Sequence, residues 1–282
     1  MTQLTVIKPA ETEGFLLPKL GLLMLFGLFL FLFNFIIVKN KLTRDNLYAF
    51  LLLVIFLGTV SNSLVNLNNL LVQVLILLTL RKVYSIRKLN NVLSKLFDSG
   101  LWLGVAFLLE PFSIVFLLMI YAAVVLFYEV SVKTLLIPIL GFCSPLFLFF
   151  TYLFFVDQTD IFYSLFTFTT TYDFSSYDSV FYSTSFFLFF GALFVAIISR
   201  TPRVFSVNNK FRRSWFLLLF HLAVALAFVL LIKQRDGSEL IAVFIPMSII
   251  IANWLQFLKK KLFVDLILLL FLGYSIAIHF IV

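Results

Sequence analysis

The chain has 282 residues, of which 63% are hydrophobic and 12% are charged, and its mean hydropathy is +1.13. A soluble domain of this length needs a charged surface that this composition cannot supply. Apolar runs of about 18 residues or more recur along the chain and indicate transmembrane helices. The runs are continuous rather than alternating, which excludes a transmembrane barrel.

The net charge is +8, with 21 Lys and Arg residues against 13 Asp and Glu. In a soluble protein this excess would indicate nucleic-acid binding. Here the basic residues lie between apolar runs and lack the interleaved aromatic side chains of a nucleic-acid site, so no nucleic-acid partner is expected. The single cysteine, Cys143, lies in an apolar run, and neither a disulfide nor a cysteine-ligated metal is predicted.

The apolar runs predict an all-α, polytopic transmembrane helix bundle of about ten spans. A polar N-terminal tail, 1–18, precedes a single transmembrane domain, 19–282. The predicted helices cover residues 19–38, 46–60, 64–80, 93–110, 111–128, 134–156, 183–199, 215–232, 240–258 and 262–282. The longest connection, 157–182, is acidic and aromatic and contains no Lys or Arg. It lacks the spacing of a calcium loop, so no metal site is predicted there.

The distribution of Lys and Arg predicts how the bundle is oriented. With ten spans, one side of the membrane holds the connections 39–45, 81–95, 129–133, 200–213 and 259–261. These connections contain all but four of the 21 basic residues. Positively charged loops stay in the cytoplasm, so this side is predicted to be cytoplasmic and both termini periplasmic.

The segment 81–111 organises the predicted bundle. It joins a basic connection to a helix that contains Gly100 and Gly104. Small residues four apart on a transmembrane helix let a neighbouring helix approach closely, so both glycines are predicted to mediate helix packing. The helix ends at Glu110, directly before Pro111. Glu110 is either hydrated at the membrane surface or part of a functional site.

Four amides form a stripe on the third predicted helix, with spacings of 4, 3 and 4 residues: Asn62, Asn66, Asn69 and Gln73. These intervals place all four side chains on one helical face. Such a face is costly in lipid and is predicted to point toward other helices or water. It supplies either hydrogen bonds between helices, which we favour, or a polar lining for a substrate path.

The sixth predicted helix carries Pro138, Gly141 and Pro145. Two prolines remove two backbone donors, so the helix is predicted to be interrupted. The carbonyl groups that lose their partners must be satisfied by protein or water. The interruption therefore predicts either a polar cavity or a tightly packed neighbour beside this helix.

His221 is an ionisable residue well inside a predicted span. An intramembrane histidine serves either a proton relay or ligand contact, or simply packs as a neutral ring bonded to one partner. One outward-opening cavity would unite this residue with the other polar candidates. Its predicted lining consists of Asn62, Asn66, Asn69, Gln73, Glu110, Pro138, Gly141, Pro145 and His221.

Several segments resemble one family of proteins. They are KNKLTRDNLYAFLL, NSLVNLNNLLVQVLILLTLRKVYSIRKL, SKLFDSGLWLGVAFLLEPFSIVFLL, more loosely LLIPILGFCSPLFLF, and near the end SELIAVFIPMSIIIANWLQFLKKK. The chain resembles an uncharacterised (domain-of-unknown-function) family of multi-pass inner-membrane proteins of Bacteroidota. The resemblance implies a bacterial inner (cytoplasmic) membrane and implies no catalytic residues.

Three functions compete. The favoured one is a non-enzymatic subunit or scaffold of a membrane protein complex, with membrane lipids and other inner-membrane proteins as partners. The second is a transporter or flippase for a lipid or glycan, which the interrupted helix and the amide stripe would serve. The third is an enzyme acting on a polyprenyl-linked glycan. No phosphate-binding loop, nucleophile elbow or metalloprotease helix is present in the sequence, so no catalytic, cofactor or metal residues are predicted.

Overall fold

The computed structural model describes residues 10–44, 46–60, 66–168, 180–207, 209–232 and 235–281. Within these ranges the chain forms helices and no strand, which confirms the all-α prediction for this part of the chain. The α-helices are α1 (Ala10–Asn40), α2 (Tyr48–Thr59), α3 (Leu67–Ser85), α4 (Val92–Leu109), α5 (Leu117–Phe127), α6 (Val132–Phe155), α7 (Thr159–Ser164), α8 (Val180–Val204), α9 (Asn209–Leu231), α10 (Ile241–Leu255) and α11 (Lys261–Ile281). Short 3-10 segments, Pro111–Phe116 and Ser238–Leu240, lead into α5 and α10.

Eight of the described helices are long and apolar enough to cross a membrane. These lengths and compositions are those of a multi-pass membrane protein. Two of the ten predicted spans are shorter: α2 has 12 residues, and the other is the segment Pro111–Phe127. The count of ten spans is therefore not confirmed by helix length.

Several element boundaries differ from the prediction: α3 ends at Ser85 rather than at residue 80, α8 ends at Val204 rather than at 199, and α9 begins at Asn209 rather than at 215. Helix α1 begins at Ala10 rather than at residue 19, because residues 10–17 are mostly Ala, Glu, Leu and other residues that a helix accepts. The remaining tail, 1–9, lies outside the described residues. The predicted acidic connection contains the short helix α7, and α8 already begins at Val180. Residues 169–179 of that connection are also outside the described ranges.

Helix α6 is continuous from Val132 to Phe155, with Pro138 and Pro145 inside it. The prediction of an interrupted helix is therefore wrong. The first turn is held by a capping box, in which Ser131 and Thr134 exchange hydrogen bonds between side chain and backbone (2.9 and 3.3 Å). Beyond it, α6 packs along α4. A neighbouring helix supports a transmembrane helix across prolines, so the two missing bonds do not break it.

Three glycines bring the backbones of α4 and α6 into contact. Each faces a carbonyl oxygen of the other helix at a place where a Cβ atom would overlap it: Gly100 faces Pro138, Gly104 faces Phe142, and Gly141 faces Phe97. A glycine has a hydrogen in that direction, so the approaches are Cα–H···O contacts, worth about 0.5–1 kcal/mol each. This is the closest type of helix contact, and it makes α4 and α6 one unit.

The helices form two groups. In the first, α4 packs between α6 and α3, and α3 packs on α1. In the second, α10 packs on α2, α8 and α9, and α11 lies on α2. Helix α9 also contacts α5, which packs on α3, so α5 and α9 join the groups.

Helix α10 is the centre of the second group. In Ser238–Leu255, 89% of the residues are buried, against 17% in Lys261–Ile278 of α11. Around α10, four phenylalanine rings from α2, α8, α10 and α11 form a cluster. The ring of Phe56 lies 4.6 Å from that of Phe189, 5.6 Å from Phe244 and 5.9 Å from Phe271, measured between centroids. Aromatic packing therefore holds the peripheral helices on the central one.

The connections between helices gather at two ends of the bundle. At the basic end, Nη1 of Arg87 donates to the carbonyl oxygen of Asn40 (3.2 Å) and to Oγ of Ser214 (3.1 Å). These bonds join the ends of α1 and α3 to the first part of α9. At the opposite end, Nδ2 of Asn66 donates to Oδ2 of Asp236 (3.0 Å), which joins the start of α3 to the connection between α9 and α10.

Replacement of Gly104 by alanine is expected to lower the stability of the protein. The added methyl group would lie 2.6 Å from Cγ of Pro145 and would overlap the carbonyl oxygen of Phe142, so α4 and α6 must separate. Overpacking of this kind costs about 1–3 kcal/mol. The unfolding temperature in a mild detergent measures the effect.

Gly191→Ala in α8 is the matched control, because nothing lies within 4 Å of its Cβ position. Alanine favours a helix over glycine by about 1 kcal/mol, so this variant should be at least as stable as the wild type. An unfolding temperature of Gly104→Ala equal to that of the wild type would contradict the close α4–α6 contact.

Candidate functional site

Two amides of the predicted stripe bind the connection between α9 and α10. Asn66 caps α3: its Oδ1 accepts a hydrogen bond from the backbone N of Asn69 (3.3 Å), while its Nδ2 donates to Asp236. The Asn69 amide donates to Oγ of Ser238. Ser238 in turn donates its backbone N–H (3.0 Å) and its hydroxyl to Oδ1 of Asp236. The two amides thus fasten the start of α3 to this connection.

These hydrogen bonds also set the charge state of Asp236. Burial by itself raises the pKa of its carboxyl group. The bonds from Ser238 and Asn66 stabilise the ionised form and outweigh burial, so the pKa of Asp236 lies below its ordinary value of 3.8. The carboxylate is therefore an acceptor for its neighbours at neutral pH.

The other two amides of the stripe differ from these. Asn62 lies outside the described residues. Gln73 is 1% exposed, and its Oε1 has no hydrogen-bond partner within the described part of the chain. Its side chain therefore faces the interior of the bundle rather than lipid.

Glu110 is a helix cap. Its Oε1 accepts a hydrogen bond from the backbone N of Phe112 (3.3 Å) at the start of the 3-10 segment that begins with Pro111. The side chain is half-buried. Burial raises the pKa of Glu110 above its ordinary value of 4.5, although the hydrogen bond from Phe112 acts in the opposite direction. The observed role of Glu110 is to end α4 and start the next segment.

His221 lies in the middle of α9 and is fully buried. Its Nδ1 is hydrogen-bonded to the hydroxyl of Tyr84 in α3 at 3.0 Å. The rings of Tyr84 and Phe116 meet the imidazole edge-on, with centroid distances of 6.0 and 6.2 Å. Nε2 has no partner among the residues that the structure describes. His221 therefore links α9 to α3 through one nitrogen.

The described candidates make contacts in different parts of the bundle. Pro138 and Gly141 are buried against α4, and Pro145 is half-buried there. The interrupted helix on which the cavity hypothesis depended is absent, and a tightly packed neighbour takes the place of the cavity. Within the described ranges, no hydrogen bond links the α6 residues, the α3 amides, Glu110 and His221 to one another. The hypothesis of a shared cavity loses the support of an interrupted helix and stays a prediction.

One pocket lies instead at the basic end. It has a volume of about 590 Å³ and is open to solvent. Its walls come from the end of α5, the turn after α3 and the start of α9: Leu89, Val125, Leu126, Phe127, Tyr128, Glu129 and Arg213. None of the nine predicted cavity residues lines it.

The sequence interpretation missed the role of Arg200, which it placed in a basic connection. The residue lies within α8 and is 3% exposed. Its guanidinium stacks on the ring of Phe257, with Cζ 3.4 Å from the ring centroid, and lies 5.3 Å from the centroid of Phe211. The guanidinium of Arg44 lies over the same Phe257 ring at 4.6 Å. We call Arg44 and Arg200 the arginine pair.

The surroundings of the arginine pair are fixed by hydrogen bonds. The backbone N of Arg44 donates to Oε1 of Gln256 (3.1 Å), and Nε2 of Gln256 donates to Oδ1 of Asn46 (3.2 Å). Nearby, Nδ2 of Asn253 donates to the carbonyl oxygen of Leu42 (2.9 Å). The connection after α1 is therefore held against the end of α10. The sequence signal for these contacts is that aromatic residues lie near basic residues in the connections. This signal does not reveal which arginine meets which ring.

Comparisons with known proteins give no relative of this chain: no family model, no curated protein and no solved structure matches it. The resemblance to the Bacteroidota family is therefore carried by the quoted segments alone and stays a prediction.

The substitution Asp236→Asn is expected to reduce the acid sensitivity of the protein. The folded pKa of Asp236 is depressed, so its carboxylate stabilises the fold above pH 3.8. That contribution is lost as the pH falls through the lower folded pKa. The variant should be less stable than the wild type near neutral pH and should lose less stability below about pH 4. Unfolding temperatures across this range measure the difference.

Asp160→Asn at an exposed position is the control and should follow the wild type. The pKa of Glu110 is raised, so this residue adds to the stability of the folded protein as the pH falls. Its contribution is the same in the wild type and in both variants. An identical acid-induced loss in the wild type and Asp236→Asn would show that the carboxylate does not stabilise the connection.

Proposed function

We propose that the protein is a non-enzymatic subunit or scaffold of a membrane protein complex. The observation that supports this proposal is that polar side chains inside the bundle bind groups of the same chain. In membrane proteins such bonds hold helices together, with a mean contribution of about 0.6 kcal/mol each. A bundle held in this way offers a preformed surface to partner helices.

Four such bonds join different parts of the bundle. They are His221 with Tyr84 (α9 and α3), Asn253 with the carbonyl of Leu42 (α10 and the connection after α1), Ser275 with the carbonyl of Ile55 (α11 and α2), and Tyr274 with Ser185 (α11 and α8). The atoms that form these bonds are occupied by groups of the same chain rather than by a transported or reacting molecule.

The two other functions have less support. A transporter or flippase was favoured by a broken α6, and α6 is continuous. An enzyme acting on a polyprenyl-linked glycan needs reactive acids at the end of the bundle that lies opposite the basic end. There, Glu110 caps a helix and Asp236 accepts hydrogen bonds from Asn66 and Ser238.

The outward face of α6 suits lipid and apolar partner helices. Large apolar side chains are exposed along it, including Phe147 at 69% and Phe154 at 62%. The hydroxyl of Thr151 donates to the carbonyl oxygen of Phe147 in the same helix (2.8 Å), and Ser144 bonds back in the same way. These two hydroxyl groups are thereby satisfied within α6.

The proposal includes ten spans in a bacterial inner membrane, with both termini in the periplasm. Helix α2 leads from Asn46, bound to Gln256 at the basic end, toward Asn66, bound to Asp236 at the opposite end. The segment Pro111–Phe127 likewise leads from the end of α4 to the pocket at the basic end. This supports counting both as spans. At about 18 Å, α2 requires a locally thin bilayer.

Reporter fusions test this topology. Fusions after Asn40, Asn90 and Asn208 should report the cytoplasm, because these positions lie within the basic connections. Fusions after Tyr172 and Val282 should report the periplasm. A cytoplasmic signal at Tyr172 would refute the arrangement, since that position lies between two connections assigned to the cytoplasm.

Affinity purification from native membranes in a mild detergent tests the complex. The protein at its natural level should recover one or more membrane proteins in a constant stoichiometry. Mutation of the α6 face, Phe147→Ala with Phe154→Ala, is expected to release a partner that packs there while leaving the level of the protein unchanged, because these side chains are exposed.

Leu269→Ala with Leu270→Ala provides the matched change on the exposed face of α11, where the side chains are 62% and 54% exposed. If the partner is lost from one double variant and retained in the other, the interface lies on the helix whose mutation releases it. Recovery of the wild-type protein alone, with no partner at constant stoichiometry, would refute the proposed function.

A further inference from the structure

The arginine pair carries positive charge without an acidic partner. Neither Arg44 nor Arg200 forms an ion pair within the described part of the chain, where Lys82 and Asp98 do (2.6 Å). Nε of Arg200 is buried and has no hydrogen-bond partner among those residues. Arg203, one turn further along α8, adds a third positive charge that acts on Arg200.

The aromatic rings compensate only part of this charge. A guanidinium loses hydration energy when it is buried, and stacking on a ring returns less than a carboxylate or phosphate would. In addition, Arg44 and Arg203 repel Arg200. A buried cation in these surroundings would gain stability from an anion that binds from outside the chain.

The geometry of the pair suits such an anion. The Cζ atoms of Arg200 and Arg44 lie 3.4 and 4.6 Å from the centroid of the same Phe257 ring. The two Cζ atoms are therefore no further apart than the sum of these distances. Arg200 is held in place by burial, whereas the Arg44 and Arg203 side chains are exposed and can reach a ligand. A planar guanidinium group can donate two parallel hydrogen bonds to two oxygens of one phosphate.

We propose that Arg200 and Arg44, assisted by Arg203, form a binding site for a phosphate group at the basic end of the bundle. The phosphate belongs either to a lipid headgroup or to a soluble phosphate-bearing molecule. Helix α8 ends at Val204 and α10 at Leu255, so the pair lies where the helices leave the apolar layer and lipid phosphates are found. This site is independent of the proposed role as a complex subunit.

Thermal unfolding of the purified full chain in a neutral detergent tests the proposal. Three probes are titrated: phosphatidylglycerol, an uncharged glycolipid and inorganic pyrophosphate. The variants are Arg200→Gln and Arg44→Gln. Arg81→Gln is the matched control, because Arg81 lies at the same end and stacks on one ring, that of Phe35 at 5.1 Å, but is only half-buried.

Saturable stabilisation by a phosphate probe is expected, with a half-saturating concentration at least about tenfold higher in Arg44→Gln and Arg200→Gln. Arg81→Gln should stay close to the wild type. Stabilisation by phosphatidylglycerol alone assigns a lipid headgroup, and stabilisation by pyrophosphate assigns a soluble ligand. If Arg200→Gln does not fold, the exposed Arg44 variant decides the outcome.

Three results would overturn the site. They are no saturable effect of either phosphate probe, an equal effect of the glycolipid, and an equal weakening in Arg81→Gln. The last two would indicate an effect of the acyl chains or of general positive charge rather than a built site.

Discussion

Lipid offers no hydrogen bond to a peptide group, and this constraint governs the structure. The helix ends must find partners in the chain: Asn66 caps α3, Glu110 caps the segment before α5, and Ser131 caps α6. The same constraint explains why hydroxyl groups on the outward face of α6 bond back to their own helix. It also explains why α6 keeps its helical bonds around two prolines, with α4 packed beside them.

Apolar burial between helices provides little driving force where the solvent is also apolar, so close packing has to replace it. The α4–α6 pair achieves this with glycines that let backbone meet backbone. Around α10 the solution differs, since aromatic rings from three neighbouring helices fill the contact. The two groups therefore differ in the kind of contact: added side-chain atoms would overlap backbone between α4 and α6, whereas around α10 side chains meet side chains.

Polar groups in the bundle serve two different purposes. Asn66, Asn69, Asn253 and one nitrogen of His221 are hydrogen-bonded to groups of this chain and connect parts of the bundle. The arginine pair is matched only by aromatic rings within the described residues. That contrast is why the first set supports a scaffold and the second a ligand site. Both proposals fit one protein, since a phosphate-anchored bundle could also carry partner helices.

Composition and local periodicity determined the class of the protein, the positions of most helices, the separation of basic and acidic connections, and the glycine pair of α4, because each depends on residues close together in the sequence. Tertiary structure alone decided the continuity of α6, since the support for its prolines comes from α4. It also placed Arg200 against Phe257 and bonded Asn69 to Ser238, residues that are far apart in the chain. Local patterns carry no information on which distant side chains meet, and the function of these groups depends on those meetings.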